Sequence, residues 1–204
     1  MTDAPRQHEI IIAPHLNQPR YTPYREITID STSGKPVIAY RVWHIRGSRV
    51  WPDMNLEYTL RGIHPLCPAM WDSRRKDAHC LSKAIHGRAN RSHEYVPHDS
   101  PPPVATCTCG VSGYFAPIED VGDGWPIVAG LIRVSGRAIM HDVWLRVETA
   151  QVEALAMNSA VKPLERSVVE STASEWEVPM VELSALGTFA REFGEEVPSE
   201  LRAR

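Results

Sequence analysis

The sequence predicts an α+β fold, mainly antiparallel β in the form of a sheet or partly closed barrel, with an irregular insert and helices at the C-terminal end. Three observations carry this expectation. Between Glu26 and Ala150, short β-branched and aromatic runs alternate with turn formers. Within that region, the stretch from Gly62 to Pro103 loses all periodicity. From Gln151 onward the composition shifts to Ala, Leu, Glu and Met, which are strong helix formers. The chain therefore divides into an arm at residues 1–25, a β-rich domain at 26–150 with its insert at about 62–110, and a helical, acidic tail at 151–204.

Taken in order, Met1 to Pro23 is broken by Pro5, Pro14, Pro19 and Pro23, and only His8 to Ala13 is apolar enough for a strand. Glu26 to Asp30 alternates polar and apolar, Ser33, Gly34 and Pro36 form turns, and Val37 to Trp43 is a second β-run, so a hairpin is expected. Arg49 to Trp51 and Asn55 to Leu60 read as further short strands around Pro52-Asp53. Ile127 to Val134, Arg137 to Met140 and Trp144 to Glu148 read as an antiparallel meander turning at Ser135-Gly136. Helices are expected near Val152 to Met157, Leu164 to Ser171 and Met180 to Phe193, with Glu195 to Arg204 fraying. In the last helix, Met180, Leu183, Leu186, Phe189, Ala190 and Phe193 share one face, which should dock on a partner or on the domain.

With 204 residues the chain can bury one core and at most a small appended unit. Its 43% hydrophobic and 23% charged residues are ordinary for globular proteins, which excludes bulk disorder and a fibrous architecture. No apolar run has membrane-spanning length, and the start Met1-Thr2-Asp3-Ala4-Pro5 lacks a basic and then apolar leader. A cytoplasmic protein with no membrane partner is the expectation.

The net charge of -3 conceals an asymmetry. From Lys35 to Arg91 there are 11 Lys and Arg against 4 Asp and Glu, a balance of +7; from Ser92 to Arg204 there are 8 against 17, a balance of -9. A basic middle can be a nucleic-acid surface, and it can equally be one half of an internal attraction. Arg41, Arg46, Arg49, Arg74, Arg75, Lys76 and Lys83 are interleaved there with Trp43, Trp51 and Trp71. That mixture suits phosphate binding and base stacking, while core positions are the plainer role for the tryptophans.

The stretch from Gly62 to Pro103 spans about forty residues, far beyond the usual connection of about 4 to 6, so something other than a hydrophobic core should order it. It holds five of the nine histidines and two of the four cysteines. Just downstream, Cys107-Thr108-Cys109-Gly110 offers two sulfurs on one side of an extended segment, with Gly110 permitting a sharp turn. A disulfide framework does not suit a cytoplasmic chain of this size, which leaves buried thiols or a metal. Clustered Cys and His ligands favour a metal, and specifically a tetrahedral structural zinc. On spacing alone, Cys67 competes with Cys80 for the third thiolate, and His79 or His64 competes with His98.

The pattern also resembles a family of uncharacterised proteins common in actinobacteria and their phages. The matching segments are Trp71 leading to Ala78-His79-Cys80, then His98-Asp99-Ser100-Pro101, then Cys107-Thr108-Cys109-Gly110. Gly130 to Gly136 follows, leading through His141 to Arg146-Val147-Glu148-Thr149-Ala150, so that the resemblance covers roughly Tyr40 to Leu155. It implies Cys80, His98, Cys107 and Cys109 as the four ligands and leaves Cys67 as an extra thiol. Val111 to Phe115 departs from the family spacing, and the resemblance implies no activity.

A closed, sulfur-rich site is a poor Lewis acid, so a stabilising ion is expected rather than a catalytic one. Glu94 and Asp99 flank the site, but the His-x-Glu and Pro-Cys-x-x-Cys signature of nucleobase deaminases is absent. There is no Gly-x-Ser-x-Gly, His-Glu-x-x-His or phosphate-binding Gly-rich loop, and His141-Asp142 reads as a polar turn. The expected function is a non-enzymatic, zinc-stabilised binding module, with nucleic acid favoured as partner. The alternatives are an interaction or structural protein, phage-encoded, docking through its C-terminal helix, and a zinc-dependent hydrolase related to deaminases.

Overall fold

The computed structural model of the chain describes residues 24–30, 34–50, 55–62, 70–80, 99–105, 107, 109–117, 127–157 and 162–202, with the backbone alone at 46–50, 55–62, 70 and 127. Residues 1–23 of the expected arm, and 63–69 and 81–98 of the insert, lie outside the described residues.

Among the described residues, ten strands form one mainly antiparallel sheet: β1 (Arg25–Ile29), β2 (Val37–Val50), β3 (Asn55–Gly62), β4 (Met70–Trp71), β5 (Arg75–Asp77), β6 (Val111–Tyr114), β7 (Ile127–Met140), β8 (Trp144–Met157), β9 (Met180–Glu182) and β10 (Glu195–Glu196). Two short helices follow β8, Pro163–Glu175 and Leu186–Phe193. No helix among the described residues is long and apolar enough to cross a membrane.

The antiparallel hairpin of β7 and β8 is the spine, closed where the amide of His141 donates to the carbonyl of Trp144 at 2.8 Å. The free edge of β7 takes β2, with Ile38 to His44 opposite Arg133 to Ile127, and β1, with Arg25 to Ile29 opposite Met140 to Gly136. The expected β1–β2 hairpin is thus replaced. Both strands run the same way along β7, so the chain between them continues rather than reverses. On its other edge β8 takes β6, β5 and finally the parallel β9. Tyr114 of β6 also pairs with Tyr40 of β2, which joins β2, β7, β8 and β6 into a partly ring-like sheet.

Two further expectations are corrected. The insert is not without strands, because β4 pairs with β3 and β5 with β8, and Trp71 is buried in the core. Val152 to Met157 is not helical but the second half of β8. There Val152, Ala154, Leu155 and Ala156 are fully buried on both faces of the sheet, so apart from Glu153 the segment is apolar without alternation and burial overrides helix propensity.

β2 shows how the core is divided. Ala39, Trp43 and Ile45 point into the larger cluster with Trp71, Ile132, Val147 and Leu155, and Val169 and Ala173 of the first helix pack into the same cluster. Ile38, Tyr40 and Val42 point to the opposite face, which Leu186 and Ala190 of the second helix cover. The apolar face expected of Met180 to Phe193 is therefore used inside the fold, although only Leu186 to Phe193 is α-helical; Met180 to Glu182 is a strand and Leu183 to Ala185 a 3-10 turn. The first helix ends in a Schellman motif, with the amide of Val178 on the carbonyl of Ala173 at 2.9 Å and that of Glu177 on Ser174 at 3.2 Å. The segment expected to fray instead holds β10, a buried Val197 and a 3-10 turn at Ser199–Leu201.

Candidate metal centre

β8 brings the candidate ligands together. The β5 pairing continues past Asp77, where the amide of Ala78 donates to the carbonyl of Glu148 at 2.7 Å, and this places Cys80 two residues further along. From the other side, Val111 pairs with Val147, which sets Cys109 two residues before a fixed register point. Between these lies the loop from Val104 to Gly110, turned where the amide of Cys107 donates to the carbonyl of Val104 at 3.0 Å.

Arg146 holds that loop from within. Its side chain is buried, and Nη1 donates to the carbonyls of Val104 at 3.2 Å, of Cys109 at 3.1 Å, and of Cys107. One guanidinium thus satisfies carbonyls that the turn leaves without strand partners. Gly110 has φ +116, a conformation L side chains rarely adopt, and a Cβ there would stand 3.0 Å from the Cβ atoms of both Arg146 and Pro103. Arg137 of β7 secures the lead-in: Nη2 donates to the carbonyls of Pro101 and, at 3.0 Å, Pro102, while its own amide donates to Glu148 Oε2 at 3.1 Å.

The result is a cluster in which the Cys80, Cys107 and Cys109 sulfurs all lie within 4.8 Å of one another, with Cys80 and Cys107 Sγ 3.7 Å apart. All three cysteines are thiols. Cys107 and Cys109 are buried and Cys80 half-buried. Burial pushes the Cys109 thiol up to about 12 and raises that of Cys107, with the neighbouring Cys80 adding to both. Sulfurs about 2.3 Å from a tetrahedral ion are separated by about 3.8 Å, so the Cys80–Cys107 spacing fits a shared ion. The cluster could hold a metal ion.

Comparison with protein-family models, curated proteins and solved structures yields no match.

The centre thus collects Cys80, Cys107 and Cys109 from the expected ligand set. His98, its alternate His64, and Cys67, the alternate to Cys80, lie outside the described residues; His79, the other alternate to His98, is exposed and outside the sulfur group. Arg146 and Arg137 had been missed as organisers of the loop. The only sign of Arg146 was its place in the Arg-x-Glu-x-Ala stretch, which says nothing of the carbonyls it reaches.

The residues expected to contact nucleic acid scatter. Trp43 and Trp71 are core residues, packed edge to face at 5.4 Å, so their faces are covered rather than offered for stacking. Arg41 is buried above both rings, at 5.8 and 5.3 Å, and Nη1 donates to the Ser112 carbonyl and to Ser112 Oγ at 2.9 Å. Its place is inside the ring of strands, not on a surface. Arg74 pairs with buried Glu153 at 2.8 Å, which also holds Arg133 at 2.6 Å. Arg75 pairs with Asp77 and Lys76 with Asp72, all on or beside β5. The side chains of Arg46 and Arg49 lie outside the described residues.

Proposed function

We propose that the chain is a non-enzymatic binding module stabilised by a structural zinc ion. The observation that carries this is the convergence of three sulfurs within 4.8 Å at the junction of the insert, the Cys107 loop and β8. Sulfur-rich sites select zinc among the abundant divalent ions, and a fourth ligand completes its tetrahedron. His98 is the ligand proposed for that position, since it immediately precedes the Asp99 to Pro103 lead-in. The resemblance to the actinobacterial and phage family supports the same set. Metal analysis of purified protein tests this. One equivalent of zinc is expected, retained in Cys67→Ser and lost in Cys107→Ser and His98→Ala; zinc-free wild type after refolding with zinc overturns it.

Nucleic acid is the partner proposed, on a narrower basis than the charge count. β2 and β3 remain paired for five positions, Arg46 to Val50 against Thr59 to Asn55, beyond the last β2–β7 and β3–β4 pairs among the described residues. A two-stranded ribbon of this kind fits a DNA major groove, and Arg46 and Arg49 are on it. The helix that motivated protein docking spends its apolar face on the sheet, which weakens that alternative. Binding to double-stranded DNA should weaken steeply with salt, and Arg46→Ala with Arg49→Ala should lower the salt slope by about two. No binding at low salt removes the reading.

A further inference from the structure

The three sulfurs are not equivalent, and their differences point to a modification at this site. Cys80 and Cys107 Sγ stand 3.7 Å apart, within reach of a covalent bond after a small side-chain rotation. Cys80 is half-buried, whereas Cys107 and Cys109 are buried. Cys109 is further held by its backbone, with its carbonyl on Arg146 and the next residue locked between Arg146 and Pro103. Cys80 lies two residues beyond the last backbone bond of β5 to β8, that of the Ala78 amide to the Glu148 carbonyl.

We propose that Cys80 and Cys107 form a peroxide-sensitive pair, oxidised to a disulfide that breaks up the metal centre. In the first step the Cys80 thiolate attacks one oxygen of a hydroperoxide. The O–O bond breaks, Cys80 becomes a sulfenic acid, and hydroxide or alkoxide leaves. Cys107 thiolate then attacks the Cys80 sulfur, forming the S–S bond and releasing hydroxide. Two electrons pass from the two sulfurs to the peroxide oxygens, and two protons from solvent balance the products as water or alcohol. Both sulfurs cease to be thiolates, so only Cys109 and any ligand outside the cluster remain, and metal affinity collapses. The metal-release part rests on the zinc reading above; the disulfide does not.

Zinc-loaded full-length protein treated with hydrogen peroxide tests both. Released zinc is followed with a colorimetric chelator, and the remaining thiols are alkylated and mapped by fragmentation mass spectrometry to separate Cys107 from Cys109. One zinc should leave per Cys80–Cys107 disulfide, Cys109 should be alkylated, and dithiothreitol with added zinc should restore binding. The same mapping on chelator-treated protein separates the two claims. A Cys80–Cys107 bond in protein that never binds zinc sinks the zinc reading and keeps the reactive pair. A Cys107–Cys109 or Cys67 bond, or sulfinic acid without any disulfide, overturns the pair, whatever the metal content. Cys67→Ser should oxidise as wild type does.

Discussion

Arg146 Nη1 donates to the carbonyl of Cys109 at 3.1 Å while the Arg146 backbone lies in β8, so a strand of the core and the loop that carries Cys107 and Cys109 are joined through one buried side chain. Replacing it tests whether the centre depends on that link. Arg146→Lys retains charge but cannot span three carbonyls, and it should weaken zinc binding by about 10- to 100-fold, as loss of outer-shell support does elsewhere. Competition with a chromophoric chelator reads this; unchanged affinity would mean the loop holds its shape unaided.

Burial keeps Cys107 and Cys109 protonated at neutral pH, with Cys109 up to about 12. Metal binding must then displace protons, and affinity should climb with pH by up to about tenfold per unit for each thiol deprotonated. Calorimetry in buffers of different ionisation enthalpy should find at least two protons released per ion. For the metal-free chain the sign reverses: the raised thiol pKa contributes stability that is present below pH ~9 and lost as pH rises toward 12.

His141 stacks on Trp144 at 4.0 Å, and burial lowers its pKa to about 4, with Arg146 adding to the effect. Because the folded pKa is depressed, stability is full above about 6.5 and lost as pH falls through 4, by up to about 3 kcal/mol. Urea midpoints between pH 7 and 4 should fall accordingly. In His141→Phe, which keeps the ring stack, that part of the decline should vanish; an identical profile in the variant would place the acid sensitivity elsewhere.

Glu153 is buried between Arg74 and Arg133, whose side chains stay about a third exposed. The two sides of this cluster should respond unequally. Removing both arginines strands a buried carboxylate and should cost on the order of 3 kcal/mol, whereas Glu153→Gln leaves arginines that can turn to water and should cost about 1 kcal/mol. Chemical denaturation of the two variants gives the comparison, and equal losses would contradict it.

Glu177 has φ +52 at the end of the first helix, in the position that the Schellman motif usually gives to glycine. Glu177→Gly relieves that strain and should raise stability by about 1 kcal/mol. A fall in thermal midpoint would show that the glutamate contributes something beyond its backbone.

Much of the β-structure was legible because local alternation and turn formers agree with the fold. Glu26 to Asp30 alternates because one side of β1 packs on the core, with Ile29 buried, while the other stays exposed. The partner of that strand was not legible. Ser33, Gly34 and Pro36 look the same whether the chain reverses or merely changes course, and only the edge of β7 decides between them. Val152 to Met157 failed for the opposite reason: a strand covered on both faces has no alternation to display.

For the centre, the sequence by itself determined the chemistry. It named Cys107 and Cys109 as candidate ligands through their i, i+2 spacing, because residue identity and local spacing are one-dimensional properties, and left Cys80 and Cys67 as rivals that only the family resemblance separated. Only the tertiary structure decided that Cys80 reaches them, through the β5–β8 pairing, and that Arg41, Trp43 and Trp71 are buried supports rather than a nucleic-acid surface. Charge and aromatic content are the same for a residue inside or outside. Which side it takes is set by strands distant in sequence, whose pairing depends on how the whole sheet can bury its two faces.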